Sequence, residues 1–164
     1  LHTAFAHRAS YLTPGEPDTL PWLSHSTIEL TRPGTRALAL WATLHHLGRD
    51  GVTALLQHYL TLADHLREKI TANSRLELVA GGPWPVACFR LTDTTATGPE
   101  ADALHTRIAH HVQTAGRAYL ATVTVDDRTV LRACLCNYRT RESDLDLLLR
   151  EVLHAADSDR TPTR

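Results

Sequence analysis

The chain of 164 residues sets 17 lysines and arginines against 18 aspartates and glutamates, with 43% hydrophobic and 21% charged residues, the composition of an ordinary globular domain. It is long enough to bury a core without a disulfide or metal staple, and too short to hold two full enzyme domains. A formal net charge of -1 leaves no basic footprint for nucleic acid or an anionic membrane surface, and no stretch approaches the roughly 18 consecutive apolar residues of a membrane span.

Residues 1–12 carry a short apolar and aromatic pattern, and the stretch through Ser26 holds Pro14, Gly15, Pro17, Asp18 and Pro21, so 1–32 reads as an arm and linker. A helical segment follows over 33–73. Pro33 and Gly34 open it, and Ala37, Leu40, Trp41, Leu44 and Leu47 recur at three- and four-residue steps, predicting a buried helix closed by Gly48. After Arg49-Asp50-Gly51 the period resumes in Val52, Leu55, Leu56, Tyr59, Ala63, Leu66 and Ile70, a longer amphipathic helix ending near Asn73. The period then drops to two in 76–79 and 86–91, which predicts two neighbouring strands. Ala101, Leu104, Ile108, Ala109 and Val112 supply the next helical face, stopped at Gly116. Strands return over 119–125 and 129–137, with Asp126-Asp127-Arg128 as the hairpin turn. A last helix starts at Ser143, the expected N-cap, and runs through Leu145, Leu148, Leu149, Val152 and Leu153; residues 157–164 read as a disordered tail. This order predicts an α+β fold over 74–156, a small antiparallel sheet covered by helices and preceded by the arm, the loop and two long helices. A ferredoxin-like ligand-binding domain is a further reading of the order from Leu76 onward, by fold analogy alone.

The eleven histidines invite a metal reading, but no two lie three or four residues apart, the step that puts two ligands on one helix face. Ordinary surface histidines are expected instead. Three cysteines, Cys88, Cys134 and Cys136, form an odd set without framework spacing, which predicts reduced thiols and a cytoplasmic protein. Cys134-x-Cys136 reads as two small buried apolar residues of a strand. No G-x-S-x-G, P-loop or G-x-G-x-x-G occurs. Arg132 interrupts a strand that is apolar on both faces, so its guanidinium needs an anion, and its planar fork suits a carboxylate. An internal salt bridge or an edge position explains isolated strand arginines more often, and Arg90 carries the same ambiguity. Tyr11 ends the arm beside a Pro- and Gly-rich loop, where it serves either packing or a mobile segment.

At these residues the sequence resembles the group II pyridoxal-phosphate-dependent amino acid decarboxylases, which include the aromatic amino acid, glutamate and diaminobutyrate enzymes. The resemblance is carried by Ala4-Phe5 and Tyr11-Leu12, Arg36-Ala37-Leu38-Ala39-Leu40-Trp41 with Leu44, Gly48 and Gly51, Ala87-Cys88-Phe89-Arg90-Leu91, and Val130-Leu131-Arg132 before the last helix. These pieces fall in the carboxyl-terminal part of the family, which implies the small domain of a fold-type I pyridoxal-phosphate enzyme. The family's Asp-x-x-x-His-Lys segment belongs upstream of Leu1. Lys69, the single lysine, lies in Arg67-Glu68-Lys69-Ile70 near the end of an amphipathic helix, a solvated setting unlike that of a cofactor-binding lysine.

The resemblance implies a split enzyme or a fragment, inactive alone, in which a large subunit supplies pyridoxal phosphate, the lysine and the large domain, assembled as a dimer of heterodimers on an amino acid substrate. Residues 33–73 then pack on that large domain. Tyr11 aligns with the tyrosine of the mobile catalytic loop, implying a proton donor to the carbanion left at Cα when carbon dioxide departs. Arg132 aligns with a small-domain arginine that clamps the substrate carboxylate. Relatives with phenylalanine in place of the tyrosine tend toward oxidative, aldehyde-forming deamination, so Tyr11 favours decarboxylation. The family's double arginine is here replaced by Arg32-Pro33-Gly34-Thr35-Arg36, and Arg32 and Gly34 are the positions implied near the neighbouring subunit's cofactor phosphate. The other outcome is a non-catalytic structural or regulatory module of such a complex.

Overall fold

A computed structural model describes residues 35–160 of the chain. The chain divides into two units, 1–54 and 55–164. The first described element is helix α1, Thr35–Ala72, whose residues through Ala54 belong to the first unit. Gly48 breaks its helical geometry with φ 62 and ψ -175, a backbone that a side chain would strain. The stop expected there is therefore an internal break, and helix resumes at once instead of after a loop. In the first unit Leu38, Leu40, Trp41 and Leu44 are exposed, Trp41 at 57%, and Trp41 stacks on His45 with ring centroids 4.5 Å apart. The periodicity that predicts a buried helix is present, but nothing among the described residues covers it.

In the second unit the rest of α1 is followed by β1 (Leu76–Ala80), β2 (Val86–Leu91), α2 (Pro99–Ala115), β3 (Ala121–Val125), β4 (Arg128–Cys134) and α3 (Glu142–Arg160). The strands form one antiparallel sheet in the order β1-β2-β4-β3. The fold is α+β. Two hairpins separated by a helix give ββαββα, whereas a ferredoxin-like domain runs βαββαβ, so that reading is set aside. The β3–β4 turn is tighter than the three residues expected. Asp126 and Asp127 have φ of 47 and 57, the two left-handed positions of a type I′ turn, and Val125 pairs directly with Arg128.

One core cluster joins all three helices to one face of the sheet: Leu62, Leu66 and Ile70 of α1, Phe89 and Leu131 of the central strands, Ile108 and Val112 of α2, and Leu145 and Val152 of α3. Burying this apolar face is what drives the unit together, at roughly 1.5–3 kcal/mol for each large side chain. Asp102, in the first turn of α2, accepts the Thr129 N–H at 2.9 Å and so anchors the helix to the hairpin. Helix α3 differs at both ends from the expectation. Arg141, not Ser143, sits at its N-cap: the Arg141 N–H donates to the Asp144 carboxylate at 2.9 Å, the reciprocal half of a capping box. At the other end the helix continues to Arg160 through what was expected to be tail, where Asp159 pairs with Arg107 at 2.7 Å and Asp157 with Arg75 at 2.6 Å.

Candidate active-site face

Alternation along β2 and β4 sends Ala87, Phe89 and Leu91, with Leu131 and Ala133, into the core. Cys88 and Arg90, with Val130, Arg132 and Cys134, therefore share the opposite face of the sheet. Arg132 stands on an interior strand, flanked by Cys88 on β2 and Ala121 on β3. It is half-buried, its Nε is fully buried with no hydrogen-bond acceptor, and among the described residues no carboxylate pairs with its guanidinium. The edge position and the internal salt bridge left open by the sequence are thus both removed within the described residues. What remains is a half-buried cation with one buried, unsatisfied N–H donor.

Arg90 resolves the other way. Its cross-strand partner is Glu77, and the two make a bidentate pair, with Nε at 2.9 Å from one carboxylate oxygen and a terminal nitrogen at 3.1 Å from the other. Its charge is used inside the sheet. Cys88 is buried beside Arg132; burial pushes its thiol up, and the guanidinium partly opposes this. Cys134 and Cys136 are both exposed, against the expectation of two buried small residues. The strand ends at Cys134, three residues sooner than predicted, so only Leu135 between the two cysteines turns into the core.

His105 departs from the surface reading as well. It is 2% exposed in α2, and its Nε2 accepts the Leu91 N–H at 3.2 Å. Burial lowers its pKa below the ordinary histidine value, against smaller raising effects from the Thr129 backbone and Asp102. The imidazole thus satisfies a strand N–H in the core through Nε2, while its Nδ1 is buried without a hydrogen-bond partner among the described residues. Its i, i+4 spacing from Ala101 and Ala109 on the apolar helix face was the available signal.

Among the described residues no three His, Cys, Asp or Glu side chains are grouped closely enough to hold a metal ion, and no helix is long and apolar enough to cross a membrane. Lys69 bonds Asp146 at 2.8 Å on the surface, and this contact raises its pKa. An ammonium held protonated in this way does not fit a covalent bond to pyridoxal phosphate, which requires a neutral amine. The described residues thus lack the lysine that the cofactor needs. Tyr11, Arg32 and Gly34 lie outside the described residues.

Residues 1–92 match the pyridoxal-dependent decarboxylase conserved domain, and the chain belongs to that family. It is 31% identical over 124 residues to an aromatic-L-amino-acid decarboxylase of Drosophila lebanonensis, an alignment covering 76% of this chain and 29% of the relative. It is 28% identical over 134 residues to a 3,4-dihydroxyphenylacetaldehyde synthase of Drosophila melanogaster, covering 81% and 24%. Among solved structures, the glutamate decarboxylase domain of a diaminobutyrate-pyruvate transaminase and L-2,4-diaminobutyrate decarboxylase from Vibrio parahaemolyticus superposes with a TM-score of 0.66 at 26% identity, covering 74% of this chain and 26% of that one. The chain spans about a quarter of the length of the curated relatives it matches.

Proposed function

We propose that this chain is the carboxyl-terminal portion of a pyridoxal-phosphate-dependent amino acid decarboxylase, as a small subunit or as a fragment of a longer polypeptide. The cofactor and its lysine are then supplied from outside these residues, by a partner large subunit in the split arrangement, with a dimer of heterodimers as the assembly. Alone, the chain is inactive. The observation that carries this reading is Arg132: a half-buried guanidinium on an interior strand, with a buried Nε–H that has no acceptor. In the assembled enzyme its fork binds the substrate's α-carboxylate and holds it in one orientation, so part of the entropy of alignment is lost before the reaction begins. Tyr11 then delivers the proton to Cα. The exposed Leu40, Trp41 and Leu44 face is the part of the helical segment that packs on the large domain.

Aldehyde formation is the second reading, favoured by the 3,4-dihydroxyphenylacetaldehyde synthase among the relatives; Tyr11 argues for decarboxylation. The test is to co-express the chain with the cofactor-bearing chain and measure carbon dioxide, amine and aldehyde from a panel of amino acids. Arg132→Ala is expected to remove turnover, and Tyr11→Phe to divert product from amine to aldehyde. If both variants leave turnover and products unchanged, the chain is a structural or regulatory module.

A further inference from the structure

Helices α2 and α3 share the core on one side of the sheet, through Ile108 and Val112 of α2 and Val152 and Ala155 of α3. On the solvent side of the same two helices His111 and His154 are both exposed, and their rings stand 6.1 Å apart between centroids at an interplanar angle of 48°. A bidentate pair between Arg107 of α2 and Asp159 of α3, at 2.7 and 2.8 Å, pins the helices together nearby. Spacing along one helix does not reveal such a pair, because each helix supplies a single imidazole.

We propose that His111 and His154 are the two protein ligands of a surface site for a divalent transition cation of the Ni2+, Cu2+ and Zn2+ class, with water completing the coordination. Imidazole nitrogen suits these ions, whereas Mg2+ and Ca2+ call for oxygen donors. A metal–nitrogen bond of about 2.1 Å places the centres of two ligand rings about 4.5–5 Å apart, so the observed pair closes on an ion by movements of about 1 Å in two exposed side chains. Glu151, one turn before His154, is buried against Arg117 at 2.5 Å and supplies no third ligand. The site is therefore open and weaker than a closed structural zinc site. An ion held by both rings ties α2 to α3. The unfolded chain separates the two histidines by the whole β3–β4 hairpin and offers them one at a time, so the ion favours the folded chain. The pair lies in the helical layer, across the sheet from Arg132, and stands apart from the decarboxylase reading.

The experiment reads the urea midpoint of the purified full chain, its thiols kept reduced, in rising NiCl2, with MgCl2 as the hard-ion control and a chelator to reverse the effect. At free Ni2+ ten times the dissociation constant of the folded chain, the unfolding equilibrium constant is expected to fall by up to about elevenfold, and the midpoint to rise accordingly. His111→Ala and His154→Ala should each remove that rise while leaving the metal-free midpoint nearly unchanged, since both side chains are exposed. His110→Ala, exposed about 100° around α2 from His111, should keep it. No rise with Ni2+, an equal rise with Mg2+, or a rise that survives either His111→Ala or His154→Ala would each overturn the proposal.

Discussion

Replacing Arg132 by methionine tests whether its guanidinium is a structural or a functional group. A buried N–H without an acceptor costs about 1–3 kcal/mol, and Arg132 Nε is such a donor. Methionine keeps a flexible stem that can fill the same space and removes the donor and the charge. Arg132→Met is therefore expected to stabilise the chain by roughly 1 kcal/mol. Arg90→Met on the same face is the control. Its pair with Glu77 has side chains 39% and 46% exposed, so its loss is expected to cost only about 0.2–1 kcal/mol. The two variants move stability in opposite directions, read as the urea midpoint of the full chain at an unchanged slope. In the assembled enzyme, truncating one member of a buried charge pair costs about 2–5 kcal/mol, which for Arg132→Met lowers kcat/KM by about thirtyfold to several thousandfold. An Arg132→Met chain destabilised by more than about 1 kcal/mol would show that the guanidinium holds the fold together, and the carboxylate site would lose its support.

Acid should weaken the second unit through His105. Its folded-state pKa is lowered by burial, so the unfolded chain binds the proton more readily. The stability from a neutral His105 is complete above about pH 6.5 and is lost as the pH falls from there toward the folded value, by at most about 1.4 kcal/mol per unit. Urea midpoints across that window should fall for the wild type and stay flatter for His105→Gln; equal slopes would contradict the assignment. Asp126→Asn with Asp127→Gly places the preferred residues at two left-handed positions and should raise stability by roughly 1 kcal/mol, measured by thermal unfolding. Lys69→Met should leave carbon dioxide release by the co-expressed enzyme unchanged, since its ammonium is held on Asp146 at the surface; abolished turnover would return Lys69 to the reaction.

Periodicity made the elements legible because the apolar positions do the folding. Leu66 and Ile70 on α1, Phe89 on β2, Ile108 and Val112 on α2 and Leu145 and Val152 on α3 all lie in the core, on the faces that their three- and four-residue or alternate spacing marks. The ends of elements were less legible because hydrogen bonds decide them. The Asp144 carboxylate reaches back to Arg141 and sets the N-cap of α3 two residues before Ser143, and the Asp157 and Asp159 ion pairs at its end coincide with residues that composition alone assigns to a tail.

The candidate site depended on strand register, which local sequence does not contain. Arg90 and Arg132 are alike in sequence, each an arginine amid apolar strand residues, and they share one face of the sheet. Register places Glu77 opposite Arg90, so that charge is neutralised within the sheet; it places Arg132 between Cys88 and Ala121, neither of which can receive its proton-rich fork. A one-residue slip of β4 would turn Arg132 into the core. That shift would bury an unpaired charge, a penalty of several kcal/mol that helps hold the observed register against the alternative. Thus the register that leaves Arg132 without a hydrogen-bond acceptor for its Nε is also the one that keeps its charge out of the core.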